Sequence, residues 1–147
     1  MDRDAMTGSG TWRVVGVHHV AFAHGPGSGP EDMLCRVLEV EPHEEEGPGF
    51  IERMFPVGGS FVQTLEASGD GVIQRFLDTR GPGLHHVAFE VDGIDAALEY
   101  LRGEGVRLVD EEARAGGMGT RIAFVHPSAF GGMLVELVEP ASAEPSG

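Results

Sequence analysis

The stretch His18-His19-Val20-Ala21-Phe22 decides the reading, because it returns letter for letter as His85-His86-Val87-Ala88-Phe89, 67 residues further on. A second match follows near the end of each half: Val62-Gln63-Thr64-Leu65-Glu66 against Val135-Glu136-Leu137-Val138-Glu139. A five-residue identity containing two histidines does not arise easily by chance, and self-similarity at a fixed offset marks a duplicated structural unit. Each half is one strand–helix–strands unit of about 60 residues, too small to bury a sheet face alone. Pairing the halves buries it. This predicts an α+β protein of two βαβββ modules related by an internal pseudo-twofold, with a mixed sheet between them.

Outward from the repeats, residues 13–22 read as a strand and 24–30 (His-Gly-Pro-Gly-Ser-Gly-Pro) as a loop. A short helix over 31–38 follows, with Pro30 suited to its first turn. Strands at 50–56 and 60–66 flank Gly58-Gly59, a hairpin signal, and 72–79 forms a linking helix. In the second half 84–91 is a strand, and Asp92 is a helix N-cap candidate. Ile94, Ala97, Leu98 and Leu101 then fall on one face of a helix ending at Arg102. Strands at 106–109, 120–126 and 133–139 complete the set, with Gly-rich loops at 115–119 and 131–132. The expected organisation is one domain over 13–140, its modules at 13–68 and 83–140. Tails at 1–12 and 141–147 are rich in Gly, Ser, Asp, Ala and Pro.

Composition narrows the function. Of 147 residues, 24 are Asp or Glu against 10 cations, a net charge of −14, which repels nucleic acid. Every cation is arginine, so Schiff-base chemistry on lysine is excluded. Cys35 is the single cysteine, which rules out an internal disulfide and fits a reducing compartment. No apolar run reaches the roughly 20 residues of a membrane span, and the acidic Met1-Asp2-Arg3-Asp4 start is not that of a secretory signal. A cytoplasmic protein is expected, with no membrane and no nucleic-acid partner.

Side chains alternate across a strand. His19 and Ala21 therefore share one face, Val20 and Phe22 the other, and His86 with Ala88 likewise opposes Val87 with Phe89. The bulky face suits packing under a helix. The histidine–alanine face leaves room for a ligand, so His19 and His86 are the better metal-ligand candidates. His18 and His85 are expected at the core edge or exposed. The repeat sets Gln63 in correspondence with Glu136. Two imidazoles, an amide oxygen and a carboxylate suit Co, Mn, Ni, Zn or Fe, with positions left open for catalysis.

Four segments then carry a resemblance: Gly83-Leu84-His85-His86-Val87-Ala88-Phe89, Asp110-Glu111-Glu112, Gly119-Thr120-Arg121-Ile122-Ala123-Phe124-Val125-His126-Pro127 and Gly132-Met133-Leu134-Val135-Glu136-Leu137. Together they resemble the vicinal-oxygen-chelate (glyoxalase/bleomycin resistance/dioxygenase) superfamily, and within it most the methylmalonyl-CoA epimerase family. The resemblance implies a curved sheet around a divalent metal held by His19, Gln63, His86 and Glu136, the same four residues that the repeat indicates. It implies that Glu52, in Gly49-Phe50-Ile51-Glu52-Arg53-Met54, is a catalytic acid/base, with Glu136 as the second. The reaction implied is 1,1-proton transfer in a 2-substituted malonyl-CoA-type thioester, through an enolate whose charge the metal offsets. Arg121 and Ser128 are the implied substrate contacts, with Arg114 a further candidate for CoA phosphates. Ser128 stands where the family carries a basic residue. A homodimer is the implied assembly. The alternatives are a glyoxalase-type isomerase (lactoylglutathione lyase-like) and a non-catalytic drug-binding resistance protein; Gln63 as a fourth ligand disfavours a ring-cleaving dioxygenase.

Overall fold

The computed structural model describes residues 12–141, so nearly all of both expected tails lies outside the described residues. Trp12 is an exception: it packs against an apolar core, its ring 5.6 Å from that of Tyr100. The chain divides into two compact units, one spanning His18–Val87 and the other combining 12–17 with 88–141.

β1 (Arg13–His24), in the first unit from His18 on, joins β2 (His43–Gly47), β3 (Phe50–Val57) and β4 (Ser60–Ala67) in the order β2-β3-β4-β1. β1 pairs parallel with β4, placing Ala21 beside Gln63, while β3 pairs antiparallel with β4, placing Met54 on the other side of Gln63. The Gly58-Gly59 hairpin forms as expected, with Val57 opposite Ser60 and Gly58 at φ 57°. At Gly49, φ 83°, a Cβ would run into the carbonyl oxygen of Asp70, so the β2–β3 turn has room only for glycine. Helix α1 (Glu31–Leu38) matches its expected span, and α2 (Val72–Arg80) runs one residue longer than expected. α2 brings Ile73, Phe76 and Leu77 onto Ala21, Ala23, Leu65 and Ala67.

β5 (Gly83–Asp92) starts in the first unit and ends in the second; with β6 (Arg114–Ala115), β7 (Arg121–Val125) and β8 (Val135–Glu139) it takes the order β5-β8-β7-β6. Helix α3 (Ile94–Gly103) buries Ile94, Ala97 and Leu98 against Val91, Leu108, Ala123, Val125, Val135 and Leu137. The opposite sheet face carries a smaller cluster of Ala88, Ile122 and Val138 with Phe124.

Four expectations need correction. β2 was not foreseen, because His43-Glu44-Glu45-Glu46 is polar throughout and lies at an edge where no face has to be apolar. Residues 106–109 contribute only a single bridge, Leu108 to Val125, and the short strand is Arg114–Ala115 inside the stretch read partly as loop. Asp92 does not cap α3. Gly93 holds the cap position in a left-handed conformation, and the Glu139 carboxylate, arriving from β8, accepts from the N–H groups of Gly93 and Ile94 at 2.8 and 3.4 Å. Finally, the bulky-face rule holds for Phe89, which packs on the α3 core, but fails for β1. There Val20 is 38% exposed, and it is the Ala21–Ala23 face that packs under a helix.

Candidate active site

The second histidine of each repeat copy lies on the face of its strand that carries the alanines. His19 and His86 are each 4% exposed, and their Nε2 atoms stand 3.0 Å apart. For bonds of roughly 2.1 Å to a transition metal, adjacent ligands at right angles sit about 3 Å apart. The two imidazoles are therefore spaced as neighbouring ligands of one ion.

Gln63 shares the His19 face through the β1–β4 register and is 4% exposed. Its Nε2 faces the Met54 Sδ at 3.3 Å. A thioether can only accept, which orients the amide and turns Oε1 away. That oxygen is buried and has no hydrogen-bond partner among the described residues. Leaving a buried carbonyl oxygen unsatisfied costs about 1–3 kcal/mol, so it is a position where a cation would be favourable. Two buried imidazole nitrogens and an unsatisfied amide oxygen are donors of the kind a divalent metal takes.

Glu52 sits two residues from Met54 on β3 and is half-buried. The register pairs Met54 with Gln63 and Glu52 with Leu65, making Glu52 the diagonal neighbour of Gln63 on the same sheet face. Diagonal Cβ atoms lie about 7–8 Å apart, close enough for a glutamate to act beside Gln63 without sharing its bonds. In the second unit Glu136 is 4% exposed and pairs with Phe124 across the β7–β8 ladder, on the face of Ile122 and Val138.

The two expected substrate contacts, Arg121 and Ser128, have side-chain partners of their own. Arg121 projects on the α3 face, opposite to Glu136, and commits its fork to Asp95 at 2.8 and 2.9 Å. That guanidinium holds the Asp95 carboxyl below its usual range. Ser128, in the turn after His126-Pro127, pairs through its hydroxyl with the His126 Nδ1 at 2.9 Å. Arg114 is placed differently: it pairs with Ile122 across the ladder, on Glu136's face, with its guanidinium 5.8 Å from the Phe124 ring centre and 3.1 Å from Asp110.

Four further side chains, His18, His85, Glu66 and Glu139, make contacts that strand alternation alone does not predict. His18 is 7% exposed rather than peripheral, and its Nδ1 lies 2.7 Å from that of His19. His85, half-buried, repeats the contact with His86 at 2.8 Å. The closing glutamates of the second repeat match, Glu66 and Glu139, both accept from the backbone N–H of a glycine on the way to a helix, Gly27 and Gly93. Both also approach an arginine, Arg53 at 2.7 Å and Arg121 at 3.9 Å. Their shared last letter was the available signal.

The family model for the glyoxalase/bleomycin resistance protein/dioxygenase superfamily matches residues 18–124. The mitochondrial methylmalonyl-CoA epimerase of Mus musculus is 35% identical over 136 residues, covering 88% of this chain and 75% of that protein. A crystal structure of methylmalonyl-CoA epimerase from Mycobacterium tuberculosis superposes with a TM-score of 0.80 at 38% identity, covering 87% and 89% of the two chains. A methylmalonyl-CoA epimerase in complex with methylmalonyl-CoA and NH4+ superposes at 0.81 with 31% identity, covering 88% and 97%. The fold is that of paired βαβββ modules, and the chain belongs to the glyoxalase/bleomycin resistance protein/dioxygenase superfamily.

Proposed function

We propose that this chain is a metal-dependent epimerase of methylmalonyl-CoA or a closely related 2-substituted malonyl thioester. The observation that carries the reading is the pair of buried imidazoles with Nε2 atoms 3.0 Å apart, sharing a sheet face with the unsatisfied oxygen of Gln63. It occurs in a chain more than 30% identical to named epimerases. His19, His86 and Gln63 would hold the ion together with Glu136, the repeat counterpart of Gln63. Cobalt, manganese, nickel, zinc and iron all suit that set. The glyoxalase-type and drug-binding alternatives are not favoured by these relatives.

When bound, a divalent cation supplies several kcal/mol of stabilisation to the negative charge that develops next to a thioester carbonyl. The residues supply the rest. A carbon flanked by a thioester and a carboxylate is a weak acid, and inverting it requires a proton carrier on each of its faces. Glu52 serves one face, with its half-buried carboxyl beside Gln63, and Glu136 serves the other. Arg114 is the better-placed cation for an anionic part of the substrate, since it lies on the sheet face of Glu136 and Arg121 on the opposite one. We further infer a homodimer in the cytoplasm; the exposed Val15 and Val17 of β1 offer apolar surface for self-association, and among the described residues no helix is long and apolar enough to cross a membrane.

The test is to incubate cobalt-loaded protein with one enantiomer of methylmalonyl-CoA in D2O and follow C2 by proton NMR. Interconversion with deuterium uptake, abolished by EDTA and restored by cobalt, is the expected result. Unchanged substrate under cobalt saturation would exclude the proposal.

A further inference from the structure

The four histidines of the repeat form a row. His18 Nδ1 meets His19 Nδ1 at 2.7 Å, His19 Nε2 meets His86 Nε2 at 3.0 Å, and His86 Nδ1 meets His85 Nδ1 at 2.8 Å. Neighbours on a strand aim to opposite faces, so contact between rings one residue apart is not the default. Here it uses Nδ1, the ring nitrogen nearest the backbone. The geometry is the same in both copies, with ring planes crossing at 75° and 78°. Aromatic neighbours steady the outer rings. Phe61 lies 5.4 Å from His18, and Phe76 meets His85 edge-on at 4.9 Å.

Proton accounting gives the row a direction. A neutral imidazole has one N–H and one lone pair. If His19 and His86 both offer Nε2 to a cation, each must carry its proton on Nδ1. Within hydrogen-bond distance of each Nδ1 lies the Nδ1 of its neighbour; for that contact to be a hydrogen bond, the neighbour accepts and carries its own proton on Nε2. Without a cation, the 3.0 Å contact between His19 and His86 requires one Nε2 to donate to the other. If His19 is that donor, the His18–His19 hydrogen bond runs from His18 to His19. If His86 is, the His85–His86 bond runs from His85. Loading a cation therefore reverses one of the two outer hydrogen bonds, with no proton lost from the row.

We propose that His18 and His85 are positioning residues that accept the Nδ1 protons of His19 and His86 and so set the tautomer that presents Nε2 to a divalent metal. The proposal rests on the metal reading given above. Partners of metal-bound histidines typically contribute 10–100-fold in affinity. An imidazole in that role is replaceable by an asparagine, whose side-chain oxygen sits about where Nδ1 does, but not by a leucine.

The test measures cobalt(II) affinity and the cobalt absorption spectrum of wild type, His19→Ala, and the His18→Leu, His18→Asn, His85→Leu and His85→Asn variants. Folding is checked by circular dichroism. Long-range nitrogen-15 spectra of the zinc-loaded wild type read the tautomers directly, so the idea stays testable if a leucine variant does not fold. Expected are Nδ1–H for His19 and His86, Nε2–H for His18 and His85, a loss of tenfold or more in each leucine variant, and near-parental affinity in the asparagine variants. Folded leucine variants with parental affinity, or the opposite tautomers, would overturn the proposal while leaving the metal site standing. Failure of wild type to bind cobalt any better than His19→Ala would overturn both.

Discussion

The helices α1 and α3 occupy the same place in their respective modules but rest on different chemistry. α3 buries Ile94, Ala97 and Leu98 in an apolar core. α1 buries no residue, and Met33 and Val37 point outward at 56% and 67% exposure. What ties α1 to its sheet is polar. Glu31 meets the buried His24 Nε2 at 2.6 Å and Arg53 at 3.5 Å, and Arg53 goes on to Glu66 at 2.7 Å and Glu44 at 2.9 Å. The two copies share a strand motif but hold their helices by different contacts, apolar for α3 and charged for α1. Helix α3 is thus held by non-directional burial, and helix α1 by a network that depends on geometry and pH.

The largest effect should come from cutting the apolar contact. Leu98→Ala, at a fully buried position, should cost about 2–5 kcal/mol in urea denaturation, whereas Leu34→Ala in half-buried α1 should cost clearly less. Equal losses would show that the two helices are held alike.

Next in size is Arg53→Leu, which strands the part-buried Glu31 and Glu66 carboxylates and should cost about 1–3 kcal/mol. The pH dependence sharpens it. The hydrogen bond from Arg53 leads in holding the Glu66 carboxyl below its ordinary value, against the opposing effect of burial. A depressed carboxylate stabilises the fold above its unfolded pKa, about 4.3, and that contribution disappears as pH falls through the lower folded value. Melting temperature should therefore drop less steeply with acid, below pH 5, in Arg53→Leu than in the parent. Parallel acid profiles would remove the network from the account.

Much of this was readable in the letters, and the exceptions share a cause. The repeat gave His19, His86, Gln63 and Glu136 because strand alternation is a local rule. The Gly58-Gly59 hairpin followed from turn chemistry, and the start of α1 from Pro30, which stands at its N-terminal boundary. β2 escaped because His43–Gly47 is an edge strand whose pairing with β3 leaves no apolar signature. The cap on α3 escaped because Glu139 is distant in sequence, and Asp92 was only the nearest acid. Val20 was misjudged because its strand face meets a polar network rather than a helix stripe. In each case pairing with another segment, next door for β2 and far along the chain for α3, outweighed the local signal.

The smallest effects concern the arginines. Arg121 bridges Asp95 at the surface, and Arg121→Ala should leave the urea midpoint unchanged within error, because exposed pairs contribute little. On function the two arginines should part: Arg114→Ala should raise KM for the acyl-CoA with little change in kcat, and Arg121→Ala should not. A KM effect confined to Arg121 would make Arg121, and not Arg114, the substrate contact.

The central claim, that Glu52 moves a proton beside a metal held by the histidine pair, is tested most directly by Glu52→Gln. Each enantiomer of methylmalonyl-CoA is given separately to the cobalt-loaded variant in D2O, with metal content measured on the same sample. The account predicts unchanged metal occupancy, epimerisation slowed by about a hundredfold or more, and C2 exchange surviving for one enantiomer alone. Interconversion at the parental rate would contradict it.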